Sequence, residues 1–251
     1  MNLRALFIIW TLIVGISFGV TVEREYDDAI KTARIEAQAH FNQIVNVRHW
    51  VARLGGIYAP VTDETPPNPF REGRVTERDL TTPEGRELTL LNPAYVTRLL
   101  SNGLLGQYEV HGRLVSADPV SPTNRADAWE LAAIDAFEAK TKTDVVEIAT
   151  LDGEDHMRYV APLYLNESCM GCHADQGEVG DLRGAVSVAI SMEPHYGVAK
   201  SHARFMGLVH GGIWVVGLGG IALFGGRLRE TIRQLRRSKQ VMNEAQKISH
   251  I

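Results

Sequence analysis

Cysteine is scarce in this chain, which has two cysteines in 251 residues. They are Cys169 and Cys172, only two residues apart. This excludes the framework of several disulfides that holds many small secreted domains together. A structural zinc site usually needs two more Cys or His at similarly short spacing. The nearest later histidines are His195 and His202, so the pattern also argues against structural zinc.

Neither sign of charge dominates the composition. The chain has 26 basic and 30 acidic residues and a formal net charge of −4. No basic patch interleaved with aromatic residues occurs, which argues against a nucleic-acid partner. The 251 residues also contain no kinase, cyclase or nucleotide-binding motif. Any activity of a sensor histidine kinase would therefore reside in a further domain.

Both cysteines belong to the sequence CMGCH, which ends at His173. Two thiols at this spacing can form thioethers to the two vinyl groups of one porphyrin, and the histidine that follows can bind the iron. The motif predicts one covalent haem c per chain, held by Cys169, Cys172 and His173. A thioredoxin-like redox pair is the alternative, but it leaves His173 without a role.

Two long apolar stretches lie near the ends of the chain, at 6–22 and 205–224. Each is long enough to cross a bilayer as a helix. Arg4 precedes the first, and a basic cluster follows the second: Arg227, Arg229, Arg233, Arg236, Arg237 and Lys239. The positive-inside rule then places both termini in the cytoplasm and the middle of the chain outside a bacterial inner membrane. A cleaved signal peptide is the alternative for the first stretch, but the acidic, helix-prone continuation favours an uncleaved anchor.

The predicted organisation has four parts. They are a transmembrane helix over 1–22, an extracytoplasmic domain over 23–204, a second transmembrane helix over 205–226 and a cytoplasmic helix over 227–251. Apolar residues recur at helical spacing in this last helix, which suits a signalling coiled coil that leads toward an output domain.

Hydrophobic periodicity and turn residues predict the elements of the extracytoplasmic domain. We expect helices over 23–54, 93–100 and 127–140, a strand over 87–91, a hairpin of 144–150 with 156–163, and a strand over 183–191. The segment 55–70 is rich in Gly and Pro and is predicted to be an ordered loop without regular structure.

The sixth position of the haem iron needs a ligand of its own or an open site. His49 is the first choice because it borders an apolar line on the predicted first helix; His40 and Met192 are the alternatives. Further candidates are His111, His156 and Met157. Arg98, Arg158 and Arg183 are candidates for ion pairs with the haem propionates.

One known family shares several segments with this chain. They are GGIYAPVT (55–62), PNPF (67–70), LTLLNPAYVTRLL (88–100), DAWE (127–130) and CMGCHADQGEVGDLRGAVSVAISM (169–192). Over about residues 30–195 the chain resembles the extracytoplasmic haem-c, PAS-like sensor domains of bacterial sensor kinases, chemoreceptors and cyclic-dinucleotide enzymes. The resemblance implies an α+β fold, a PAS-like antiparallel sheet flanked by helices, and dimerisation through the N-terminal helix. It also implies a distal ligand from that helix or from a partner chain.

Two functions remain open at this stage. The first is a transmembrane sensor, in which a change of iron redox state or the binding of a diatomic gas signals to a cytoplasmic output domain or kinase. The second is a membrane-anchored monohaem cytochrome that transfers electrons. The long first helix, the basic tail and the family resemblance favour the sensor.

Overall fold

The structure, a computed structural model, describes residues 3–71, 77–101, 110–170 and 177–249, without the side chains of 71 and 244–249. Two compact units are present. One consists of Ile30–His195, and the other combines Met1–Ala29 with Tyr196–Ile251.

The described elements form an α+β fold, as predicted. In chain order they are α1 (Leu3–Arg53), β1 (Ile57–Pro60), β2 (Asp79–Thr81), β3 (Glu87–Leu91), α2 (Pro93–Leu100), β4 (Val110–Val115), α3 (Ala128–Glu138), β5 (Val145–Leu151), β6 (Glu154–Tyr164), β7 (Leu182–Ser191) and α4 (Glu193–Ser249). The bounds of β3 and α2 agree with the sequence predictions, and those of α3 and β5–β7 lie within two residues of them.

Two antiparallel sheets organise the unit Ile30–His195. A three-stranded sheet has the order β1-β3-β2, and a four-stranded sheet has the order β4-β7-β6-β5. The predicted hairpin is β5–β6, with Val145 opposite Val160. Its turn residues Asp152 and Gly153 have φ angles of 51° and 89°. A two-residue turn of this hand matches the twist of the flanking strands, which is why Asp-Gly predicts it.

The core lies on both faces of the four-stranded sheet, because side chains alternate along each strand. On one face, Val160 and Ala185 pack with Phe137 of α3. On the other, the Tyr159 ring meets Phe41 of α1 edge-on, with 5.5 Å between ring centroids. The residues of α1 that are buried in this unit recur at helical spacing: Ala33, Ala37, Ile44 and Val51.

Capping residues set where α2 and α3 begin. The Asn92 side chain accepts a hydrogen bond from the Tyr95 amide at 3.0 Å, and Pro93 occupies the first helical position. Asp127 and Glu130 form a capping box at the start of α3. The shared segments NPAY and DAWE therefore contain helix start signals.

The prediction of an irregular loop over 55–70 is wrong for β1. This strand pairs with β3, with Ile57 opposite Leu91. Gly55 and Gly56 have φ angles of 75° and 114°, which glycine adopts without steric cost, and they turn the chain back at the end of α1. Pro60 is tolerated because β1 is an edge strand.

The second unit contains the apolar parts of α1 and α4. Both helices, Leu3–Arg53 and Glu193–Asn243, are long and apolar enough to cross a membrane, as the two apolar stretches predict. Within this unit the Trp214 indole donates to Thr11 Oγ1 at 3.0 Å, and Ser17 Oγ lies 3.2 Å from His210 Nε2. Hydrogen bonds of this kind join membrane helices, which lack a hydrophobic driving force between them.

Candidate functional site

A cleft of about 690 Å³ lies between the end of α1 and the loop after β6, and we call it the α1 cleft. Its described lining consists of Asn46, His49, Arg53, Asn166, Glu167, Ser168 and Val179. Small-molecule and cofactor sites typically have volumes of about 300–1,000 Å³. The α1 cleft is therefore large enough for a bound organic group.

Cys169 follows directly on the loop that forms one wall of the α1 cleft. Its thiol is half-buried and lies 3.3 Å from Asn166 Oδ1. The other two residues of the predicted attachment motif, Cys172 and His173, lie outside the described residues. Attachment through this motif therefore stays a prediction, and its first cysteine lies next to the cleft.

Among the predicted distal ligands, His49 is the one that lines the α1 cleft. Its side chain is exposed, and it makes no hydrogen bond or ion pair within the described part of the chain. Its imidazole is therefore available to a ligand or a metal ion. The helix that carries it is anchored on both sides, since Ile44 and Val51 are buried against the rest of this unit.

His40 lies away from the α1 cleft. It precedes His49 by nine residues, which corresponds to about 14 Å along the axis of α1 and to the opposite face of the helix. Its Nε2 lies 3.9 Å from Glu36, whose other carboxylate oxygen lies 3.1 Å from His195 Nε2. The Nδ1 atom of His40 is buried without a hydrogen-bond partner among the described residues.

Met192 is fully buried at the end of β7, and its amide donates to the carbonyl of Asp155 at 2.8 Å. The other end of β7 lies beside Leu165, whose amide donates a hydrogen bond to the carbonyl of Asp181 just before the strand. The ten residues of β7 span about 30 Å, so Met192 lies at the far end of this strand from Leu165. The other side-chain candidates on the sheet are also at the Met192 end: His111, His156 and Met157.

Arg158 is held in an ion-pair network on the α3 face of the sheet. Its Nη2 lies 2.5 Å from Asp127 Oδ2 and 3.5 Å from Glu130 Oε1, and its guanidinium stacks over the Trp129 ring at 4.1 Å. Glu130 is only 1% exposed and also pairs with Arg113 at 2.5 Å. These contacts give Arg158 a structural role within the unit.

Asp127 is the titratable group that this network perturbs. Partial burial by itself would raise the pKa of Asp127. The hydrogen bonds from the Glu130 amide and from Arg158, with the charges of Arg158 and Arg113, outweigh that effect and lower the pKa below its usual range.

The two other predicted propionate partners lie at separate places. The Arg98 guanidinium stacks over Tyr95 at 4.6 Å and over Phe70 at 5.5 Å. Arg183 lies near the start of β7, where the pairing with β6 shifts register next to Tyr164. Arg183 thus lies at the end of the sheet from which the loop after β6 leads into Cys169.

Sequence reasoning missed Arg48, which is the residue before His49. Arg48 occupies the position between Ile44 and Val51 at which the buried stripe of α1 would next place an apolar side chain. Its Nη1 lies 3.5 Å from the Thr97 hydroxyl of α2. A charged residue on an otherwise apolar helix stripe was the signal that could have identified it.

Known proteins resemble this chain at the level of family and of structure. The model of the Tll0287-like family matches residues 24–191. The crystal structure of the cyanobacterial haem protein Tll0287 is similar at 14% identity and a TM-score of 0.42, covering 62% of this chain and 92% of that chain. No curated protein matches the sequence.

Proposed function

Because the chain belongs to the Tll0287-like family, we propose that it is a membrane-bound haem-c sensor module that detects redox state or a diatomic gas. The observation that carries the proposal is the α1 cleft, where His49 faces the loop that leads into Cys169. The protein after which the family is named is described as a haem protein. The CxxCH motif supplies the means of covalent attachment.

The CxxCH motif together with His49 on α1 supplies the residue types that a haem c requires. Cys169 and Cys172 would form the thioethers, His173 would be the proximal ligand, and His49 would be the distal ligand. The haem would supply a redox-active iron that also binds small gases. His49 lies on α1, which continues without interruption from residue 53 to residue 3 through the first apolar stretch. A change in how His49 is held would therefore act on a helix that enters the membrane.

Such a device signals only if the two states of the haem favour different conformations of the protein. We propose that the PAS-like domain lies outside the bacterial inner membrane and that both termini are cytoplasmic, in line with the basic residues beyond each apolar stretch. The helical tail after residue 226 would connect to a cytoplasmic output domain or kinase.

We further propose that the chain acts as a homodimer through α1. Ile35 is 67% exposed and Trp50 is 51% exposed on this helix, outside the first apolar stretch. Exposed apolar side chains on a long helix favour burial against a second helix. The mass of the detergent-solubilised chain, measured by light scattering, checks this point: a monomer would contradict it.

Absorption spectra of the full-length, haem-loaded chain test the type of signal. They are recorded with the haem oxidised, with the haem reduced, and with the reduced haem exposed to CO or NO. A haem whose sixth ligand is displaced by either gas identifies a gas sensor. A low-spin haem that binds neither gas is expected of a redox sensor or of the electron-transfer cytochrome.

A distance measurement separates the redox sensor from the cytochrome. With both native cysteines bound to haem, Ser238→Cys provides a single spin-label site in the tail of each chain. The sensor predicts that the distance between the two labels of a dimer in lipid nanodiscs changes on reduction of the haem. Identical distance distributions in both redox states would favour the cytochrome.

A further inference from the structure

The part of α4 that follows the second apolar stretch carries a dense cluster of positive charge. From residue 226 to residue 243 the chain has one acidic residue, Glu230, and six basic residues: Arg227, Arg229, Arg233, Arg236, Arg237 and Lys239. Every side chain described in this range is exposed. Among the residues that the structure describes, no carboxylate forms an ion pair with any of the six. These charges are therefore open to an anionic partner.

A contact with α1 marks where the apolar part of α4 ends. Gly225 directly follows the stretch 205–224, and a Cβ atom at this position would overlap Leu3 Cδ1 at the start of α1. Because Leu3 lies just before the stretch 6–22, the apolar stretches of both helices end at one level. At 1.5 Å per residue the stretch 205–224 is about 30 Å long, which matches the hydrocarbon core of a bilayer. The boundary of this core therefore lies near Gly225.

Two of the arginines form a pair on one face of the helix. Arg229 and Arg233 are four residues apart, so their Cβ atoms lie about 5–6 Å from each other. The exposed apolar residues Leu228, Leu235 and Met242 recur every seven residues and point about 140° away from this pair. A coiled coil with a second chain would cover that apolar face. The arginine pair would remain on the outside of the coiled coil.

Distance from the hydrocarbon core divides the basic residues into two groups. The headgroup layer adds about 5–8 Å to each side of the core, and the attraction of an anionic membrane surface decays over about 8 Å at physiological salt. Along the helix axis Arg229 is about 6 Å beyond Gly225 and Arg233 about 12 Å. Arg236 and Arg237 are about 17–18 Å beyond it. The pair of Arg229 and Arg233 thus lies within reach of lipid headgroups, and Arg236 and Arg237 lie outside it.

On the basis of the proposed function, which places α4 across the membrane, we propose that Arg229 and Arg233 together bind the phosphodiester of an anionic phospholipid. A guanidinium holds a phosphate through two parallel hydrogen bonds, and two neighbouring guanidinium groups can share one phosphate. A zwitterionic headgroup binds less tightly because its own cation opposes the two arginines. The arginine face of α4 is thereby a lipid-binding surface, separate from the apolar face that suits a second chain.

Native mass spectrometry of the detergent-solubilised, full-length chain tests this proposal. The chain is titrated with phosphatidylglycerol and, separately, with phosphatidylcholine, and the dissociation constant of the first bound lipid is measured. Each arginine near the surface contributes about fivefold to the affinity, so Arg229→Gln/Arg233→Gln should weaken phosphatidylglycerol binding about 25-fold. The affinity for phosphatidylcholine should be low and unchanged.

Two further variants control for charge and for position. Arg236→Gln/Arg237→Gln removes the same charge from the same helix beyond the reach of the headgroups, and it should weaken binding by less than about twofold. Arg229→Lys/Arg233→Lys should bind more tightly than the glutamine variant and less tightly than the wild type, because lysine keeps the charge but not the paired hydrogen bonds. Equal losses in the two glutamine variants would overturn the assignment to Arg229 and Arg233. Equal affinity of the wild type for both lipids would overturn it as well.

The outcomes separate this inference from the proposed function. Wild-type chain that alkaline carbonate extracts from membranes would refute the membrane placement, and this inference with it. Embedded chain whose phosphatidylglycerol affinity is unchanged in Arg229→Gln/Arg233→Gln would refute the lipid site alone. Chain that is embedded and binds the lipid as expected but acquires no haem would refute the haem sensor and leave the lipid site intact.

Discussion

Glu130→Gln tests whether the buried network on the α3 face is structural. Glu130 is 1% exposed and bonds to Arg113, Arg158 and the Asp127 amide. Removing one partner of a buried ion pair costs about 3–5 kcal/mol. The lower end applies here, because Arg113 is 41% exposed and can be hydrated while Arg158 retains Asp127. We therefore expect a loss of about 3 kcal/mol.

Hydrogen exchange of the full-length chain in detergent, followed by mass spectrometry, measures this loss. When exchange is limited by the opening equilibrium, 3 kcal/mol corresponds to roughly 100-fold faster exchange for the amides of α3 and β6. Asp135→Asn is the control because Asp135 is exposed on the same helix, and it should change stability by less than about 0.5 kcal/mol.

Less than about threefold faster exchange in Glu130→Gln would refute the reasoning, because it would mean that the charge of Glu130 contributes little to the fold. The haem spectrum of Glu130→Gln should be unchanged. A shifted spectrum would instead indicate that Arg158 contacts the haem.

Two further predictions concern the distal ligand and the acid stability. His49→Ala should convert a six-coordinate, low-spin ferric spectrum to high spin, whereas His40→Ala should not; the opposite result would move the distal ligand to His40. Because the folded-state pKa of Asp127 is lowered, its contribution to stability is present above the ordinary aspartate value of about 4 and is lost as the pH falls through the folded-state pKa. Acid titrations of unfolding should therefore show a smaller loss for Asp127→Asn below about pH 4, and an identical loss would contradict the assignment.

Local signals in the sequence predicted the elements that carry their own start and stop residues. Asn92 with Pro93 marks the beginning of α2, and Asp152 with Gly153 marks the β5–β6 turn. These features act within a few residues, so the sequence alone is sufficient to recognise them.

The elements that sequence reasoning missed depend on distant partners. β4 is paired with β7, with Val115 opposite Ala185, and β1 exists through its pairing with β3. Short strands that contain Gly or Pro have little periodicity of their own, and their pairing is a property of the folded chain. The family resemblance therefore implied one sheet, whereas the described residues form two.

The residues of the candidate site also fall into two groups: those that a local sequence pattern identifies and those whose surroundings depend on distant parts of the chain. The attachment motif is a local pattern, and His49 was the first choice among the distal ligands because of the apolar line beside it. Sequence could not reveal that Arg158 is paired with Glu130, which lies 28 residues away in the chain. Nor could it show that Arg48 faces Thr97 without a carboxylate partner in the described structure. Both facts follow from long-range packing.

Haem staining on a denaturing gel tests the central claim most directly. The full-length chain and its Cys169→Ala/Cys172→Ala variant are produced together with the c-type haem-attachment apparatus. We predict a stained band at the mass of the chain for the wild type and none for the variant, because only a covalent haem survives denaturation. An unstained wild type, or a variant that keeps its stain, would contradict covalent attachment at these two cysteines.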